Sequence, residues 1–178
     1  MKALGYFGPS DVRVVDKPDP VVEDPADALV RVTRSGICGS DLHLYRGLVP
    51  DTRIGSTFGH EFTGVVEAVG PEVRTLKAGD RVVVPFNIAC GTCFFCRRQR
   101  YASCDRSNPT SAVFGGAYGY SHTTGGYDGG QAELVRVPFA DGGPLKIPDD
   151  MSDEDVLFLS DILPTGFQAA EMAEIERR

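Results

Sequence analysis

No run of about 18 apolar residues, the length a bilayer-spanning helix requires, occurs in the 178-residue chain. The amino terminus, Met1-Lys2-Ala3-Leu4-Gly5, lacks the extended apolar stretch of a secretory leader. These two absences predict a cytoplasmic protein without membrane contact. Cationic charge is scarce as well: 18 Lys and Arg stand against 25 Asp and Glu, a formal net charge of −7. Such a chain is poorly suited to neutralising phosphates, so nucleic acid is not expected as a partner, and the small cluster Arg97, Arg98 and Arg100 reads as a solvated loop. No G-x-G-x-x-G occurs among the 21 glycines, so the fingerprint of a dinucleotide-binding turn is missing. No internal repeat is visible. Cysteines number only five, an odd count that argues against a closed disulfide framework.

Glycine and proline (21 and 12) are plentiful, which suits a turn-rich β fold better than a helical bundle. Period-two patterning with Gly and Pro punctuation predicts short strands at 2–7, 12–15, 28–33, 62–69, 81–85 and 132–137. In the third of these, Val30 and Val32 take one face and Arg31 and Thr33 the other. The stretch 115–130 is read as one long irregular, Gly-rich segment, with His122 and Asp128 at solvated or turn positions, or else lining a cleft. The character changes near Met151. Ser152 and Asp155 form a capping-box pattern ahead of Val156, Leu157 and Leu159, predicting a short helix over 153–159. A second helix is expected to start at Pro164, pass Phe167, Met172 and Ile175, and end with the chain at Glu176-Arg177-Arg178. The expected fold is mainly β, a partly open barrel followed by short C-terminal helices.

Cys90-x-x-Cys93-x-x-Cys96, then seven residues, then Cys104, carries the strongest chemical signal. Two-residue gaps let the chain wrap an ion with neighbouring sulfurs pointing inward, and the longer loop returns the fourth ligand. Four thiolates at about 2.3 Å fill a tetrahedral zinc, leaving no position for water or substrate, so such a site is structural. Clustered free thiols, a redox pair and an iron–sulfur cluster are the alternatives. Arg97 and Arg98 lie where they would offset the negative charge of four thiolates. The expected lobe spans about 87–106.

Gly59-His60-Glu61-Phe62-Thr63-Gly64, five residues, Gly70, two residues and Val73 match the zinc signature of the medium-chain alcohol dehydrogenases. Gly36-Ile37-Cys38-Gly39-Ser40-Asp41 and Ser160-Asp161-Ile162-Leu163-Pro164-Thr165-Gly166 resemble two further ligand loops of that family. With the Cys₄ lobe, four motifs run in order through the chain. The resemblance is strongest to the branch of glutathione-independent formaldehyde dehydrogenase, which the fragment from Gly125 to Glu133 supports. Sorbitol and threonine dehydrogenases are more distant.

The resemblance implies a GroES-like catalytic domain over 1–150. Residues 151–178 would begin an absent Rossmann domain that binds NAD(P). It implies two zinc ions per chain: a structural one in the Cys₄ lobe and a catalytic one on Cys38, His60 and Asp161. Glu61 would sit behind the ligands or exchange with them, and Ser40 and His43 would relay a proton. Thr165 would touch nicotinamide. Taken alone these residues have plainer readings: Cys38 as a small apolar filler, His60-Glu61 as structural, Asp161 as a helix cap, Ser40 as the N-cap of a helical turn through Leu42 and Leu44. Gly39 stands where many relatives carry a basic residue for the cofactor phosphate. The implied substrates are small alcohols or aldehydes. Without the cofactor domain the 178 residues are expected to be inactive alone, and Leu157, Phe158, Phe167 and Met172 to form an exposed apolar face favouring a homo-oligomer or a partner carrying the Rossmann domain. The non-enzymatic alternative is a stand-alone zinc-binding or interaction module.

Overall fold

The computed structural model describes residues 1–111 and 115–175; the expected helix end at Glu176–Arg178 lies outside the described residues. Strands β1 (Lys2–Gly8) and β2 (Asp11–Asp16) form an antiparallel hairpin. A five-stranded antiparallel sheet has the order β8 (Leu134–Val137), β3 (Ala28–Ser35), β4 (Phe62–Val69), β5 (Arg81–Val84), β9 (Leu145–Lys146). A third pair joins β6 (Asn87–Ile88) to β7 (Gly116–Ala117). The hairpin is stitched to the segment before β8 by an Ala3–Ala132 bridge and by Leu4 N–H donating to the Gln131 carbonyl at 2.8 Å. This partly closes the curled sheet into the mainly β, partly open barrel expected from the sequence.

The period-two strands behave as their patterns require. Val30 of β3 is fully buried and pairs with Val66 of β4, while Arg31 is exposed. Val82, Val84, Val135 and Val137 complete one apolar interior with Phe62 and Tyr118, whose rings meet edge-on at 5.5 Å. Burying a side chain of this size contributes roughly 1.5–3 kcal/mol, so this interior is the main stabilising unit.

Several local expectations need correction. Strands β6, β7 and β9 have two residues each and show no sequence period. The stretch 115–130 is therefore not wholly irregular: it contains β7 and a 3₁₀ turn at His122–Thr124. Asp128 is not merely solvated. It accepts from Thr57 N–H at 2.8 Å and from Lys17 Nζ at 2.5 Å, tying the segment to residue 57 and to the residue that follows β2. His122 is half-buried at the start of the 3₁₀ turn.

Helix α2 (Asp153–Val156) has the expected capping box at Ser152 and Asp155, but it gives way to a 3₁₀ turn over Leu157–Ser160. Val156 packs with Val83 and Ile147, fixing this end of the chain on the sheet. Helix α3 (Ile162–Met172) begins two residues before Pro164. Proline is tolerated there because the first helical N–H groups have no intrahelical acceptor.

Helix α1 (Gly39–Tyr45) is capped by Cys38, not Ser40: the Asp41 carboxylate accepts the Cys38 N–H at 2.9 Å. Phe158, Phe167 and Met172 are exposed as expected, whereas Leu157 is only half-exposed. Among the described residues no helix is long and apolar enough to cross a membrane.

Candidate metal centres

Cys90, Cys93, Cys96 and Cys104 place their sulfurs within 4.8 Å of one another. A tetrahedron with arms of about 2.3 Å has edges of about 3.8 Å. The Cys90–Cys96 and Cys93–Cys104 sulfurs lie 4.0 and 3.9 Å apart, close to that edge. Backbone N–H groups of Thr92 and Cys93 point at the Cys90 sulfur, that of Cys96 at Cys93, and that of Cys90 at Cys104, at 3.4–3.5 Å. Burial opposes ionisation of Cys90, but the Thr92 and Cys93 donors outweigh it and bring its thiol down, while burial and neighbouring sulfurs push Cys96 up. Backbone N–H groups thus face the sulfurs of Cys90, Cys93 and Cys104, the polarity of a thiolate cage for a cation. Arg98 stacks on the Phe94 ring at 3.7 Å and donates to the Phe94 carbonyl.

The second cluster draws on three distant parts of the chain. Cys38 precedes α1, His60 precedes β4, and Asp161 lies between the 3₁₀ turn and α3; their ligand atoms also lie within 4.8 Å of one another. His60 Nε2 is 3.1 Å from Asp161 Oδ2. Gly59 sets the approach to His60. Its φ is +94°, and a Cβ there would meet the Gln131 backbone at 2.7 Å, so only glycine fits without displacement. Phe86 N–H donates to the Ser160 carbonyl at 2.9 Å, and Ile162 N–H to Glu61 Oε1 at 3.3 Å, pinning both sides of Asp161. Asp161 occupies the N-cap position of α3 yet caps no helix N–H; its carboxylate is turned to His60 and Thr165.

Glu61 is 3% exposed, and burial raises its pKa against the opposing pull of the Ile162 N–H. Its Oε2 lies where a Cβ on Gly36 would come within 2.9 Å, so Gly36 makes room for the carboxylate. Ser40 Oγ is 3.9 Å from the Cys38 sulfur, and His43 follows it by three residues on α1, exposed to solvent. Thr165 is exposed and gives its hydroxyl to Asp161 Oδ1 at 2.7 Å. Gly39 is exposed at the start of α1, with open space around it.

Asp41, the last residue of the first ligand motif, stands behind His60. The fold buries it to 4% exposure and sets its Oδ1 3.8 Å from His60 Nδ1, while its Oδ2 holds the Cys38 N–H. Neither His60 Nδ1 nor Asp41 Oδ1 has a hydrogen-bond partner. A neutral imidazole ligating through Nε2 carries its proton on Nδ1, facing this carboxylate, the usual support for a metal-bound histidine. Thiolate, imidazole and carboxylate converge as a three-ligand zinc site requires, so the residues present fit the ion.

Burial opposes a charged His60, but the Asp161 hydrogen bond, the Asp41 charge and the Cys38 sulfur prevail and raise its pKa from 6.5 to about 9. Asp161 is lowered in turn, chiefly by its bond to His60. In the metal-free protein the raised pKa contributes stability that is full below pH 6.5 and lost as pH rises through about 9. Zinc affinity runs the other way, because the ion must displace the His60 proton. The His60 share of this effect is about tenfold tighter binding per pH unit up to about 9, levelling above it. Calorimetric titrations in buffers of different ionisation enthalpy measure the protons released.

A cavity of about 210 Å³ opens on this cluster, lined by Ser40, His60, Phe86, Tyr118, Tyr120 and Asp161 among others. The cleft-lining alternative for the Gly-rich stretch thus applies to Tyr118 and Tyr120. A larger hollow of about 680 Å³, beside Lys17, Arg53 and Arg136, reaches none of the metal-ligating residues.

Residues 24–149 match the alcohol dehydrogenase GroES-like domain family. A zinc-type alcohol dehydrogenase-like protein of Bacillus subtilis is 47% identical over 99% of this chain and 47% of its own length. The glutathione-independent formaldehyde dehydrogenase of Pseudomonas aeruginosa is 44% identical over 98% of this chain and 45% of its own. An alcohol dehydrogenase structure from a Thermus species superposes with a TM-score of 0.89 at 45% identity, over 98% of this chain and 48% of that one. The chain therefore spans about half the length of the relatives it matches.

Proposed function

Because the chain belongs to the zinc-dependent medium-chain alcohol dehydrogenases, we propose that it forms the zinc-bearing half of an NAD(P)-dependent oxidoreductase acting on small alcohols or aldehydes. The observation that carries the reading is the convergence of Cys38, His60 and Asp161 on a cavity, beside a separate closed quartet of cysteines. Two zinc ions per chain follow: one held by Cys90, Cys93, Cys96 and Cys104, the other by Cys38, His60 and Asp161.

Zinc held by Cys38, His60 and Asp161 would supply a Lewis acid for the substrate oxygen, and NAD(P) bound by the other half would supply the hydride acceptor. The protein's own residues orient and exclude. Asp41 and Glu61 fix the ligand loops from behind. Phe86, Tyr118 and Tyr120 wall the side of the cavity that this chain supplies. Ser40 lines the cavity with its Oγ 3.9 Å from the Cys38 sulfur, where it would take the substrate hydroxyl proton as it hands its own to the cofactor ribose, and exposed His43 would pass it on to water. The exposed side of Thr165 is the surface left for nicotinamide.

Among the described residues no strand, glycine turn and helix make a dinucleotide site, and hydride transfer needs cofactor and substrate held in contact. The 178 residues alone are therefore expected to show negligible turnover of formaldehyde or short primary alcohols with NAD or NADP. Turnover is expected once a cofactor-binding half is present in the same chain or as a second one. Normal enzymatic rates from residues 1–178 alone would overturn this division. No zinc-dependent turnover with the second half present would overturn the assigned activity.

A further inference from the structure

Carboxylate ligands raise a problem that thiolates do not: two equivalent oxygens can both close on one ion. Asp161 has its oxygens in different hands. Oδ2 faces His60 Nε2 at 3.1 Å, inside the ligand cluster, whereas Oδ1 accepts the Thr165 hydroxyl at 2.7 Å. Thr165 reaches it from one turn into α3, and its own N–H bonds the Asp161 carbonyl at 3.0 Å, so residue 161 is gripped twice by residue 165. The Asp161 carboxylate accepts from no N–H of the α3 first turn, so no capping bond competes with Thr165 for Oδ1.

Resting on the function proposed above, we infer that Thr165 is a positioning residue that keeps Asp161 a one-oxygen ligand, holding Oδ1 away from the ion and preserving a position for substrate. A bidentate Asp161 would fill the coordination position that the cavity lined by Ser40 and Phe86 serves. Thr165 acts through Asp161 and does not itself reach the ion. An exposed hydroxyl with a merely structural part in α3 would leave the metal's surroundings unchanged on removal.

The test uses the full 178-residue chain loaded with ¹¹³Cd, whose resonance moves with the number of sulfur and oxygen ligands and separates the tetrathiolate site from the mixed one. Thr165→Val removes the hydroxyl at nearly constant shape, and Thr165→Ser restores it. With valine, the mixed-site resonance is expected to shift upfield as a second oxygen joins, and with serine to return to the native position. The tetrathiolate resonance stays fixed throughout as an internal reference for folding. A native protein with no mixed-site resonance would sink the function proposed above together with this inference. A native mixed-site resonance that Thr165→Val leaves unmoved would overturn the inference alone.

Discussion

Replacing His60 with alanine is expected to cut the metal content from two zinc ions per chain to one, and to abolish turnover in the enzyme complete with its cofactor-binding half. His60 is the only imidazole in the mixed cluster, and its Nε2 faces Asp161 at 3.1 Å. Its loss leaves a thiol and a carboxylate, too few ligands to hold the ion against water. It also strips the Asp161 and Asp41 carboxylates of their shared cationic or hydrogen-bonding neighbour. An uncompensated carboxylate at a partly buried site is costly, so some destabilisation is expected alongside. Cys38→Ala separates the two effects. Cys38 is half-exposed and small, so its loss leaves little cavity while removing the same ion. Metal analysis and thermal melting of both variants check the pair. Two ions retained in either would remove that residue from the centre.

The second large effect is expected at the other site. Changing Cys93 to Ser is expected to release the structural zinc and unfold the lobe over about 87–106 while the sheet stays intact. The apolar cluster of the lobe consists of Ala89, Cys96 and Cys104, with Cys90 and Cys93 packed against it. It contains no leucine, isoleucine or valine, so beyond Ile88, which is anchored in the main interior, little apolar packing holds the loop once the sulfurs let go of the ion. Zinc binding to such small domains is worth about 10–16 kcal/mol and is in effect their folding energy. The main interior draws on β3, β4, β5 and β8, takes in Ile88 at the edge of the lobe, and shares none of these cysteines. Hydrogen exchange followed by mass spectrometry is expected to show fast exchange confined to the lobe. Unchanged zinc content, or protection equal to the native protein, would contradict the assignment.

The two sites differed in how far sequence reached them. The sulfur quartet was legible because its ligands fall within fifteen positions, and local spacing alone brings them together. The mixed site was not legible in that way: Cys38, His60 and Asp161 are separated by long stretches, and singly each has a plainer reading. Only resemblance to a family gathered them, and the fold then brought their ligand atoms within 4.8 Å. Asp41 escaped notice as a support because its value lies in facing His60 from another element. Strands with clear alternation, such as β3, were read nearly to their ends, whereas β6, β7 and β9 are set by pairing between distant pieces and are too short to show a period. Helix α3 starts two residues earlier than Pro164 predicts, because proline favours the first helical position while here it takes the third. Asp161, a natural cap by its position, gives that role up to face the cluster, a local rule broken where chemistry requires it.

The measurement that bears most directly on the account is the zinc content of the 178-residue chain after zinc is supplied and loosely held metal is dialysed away, determined by mass spectrometry against a quantitative amino-acid analysis. Two ions per chain are predicted, falling to one in His60→Ala. A native value of one or none would contradict it.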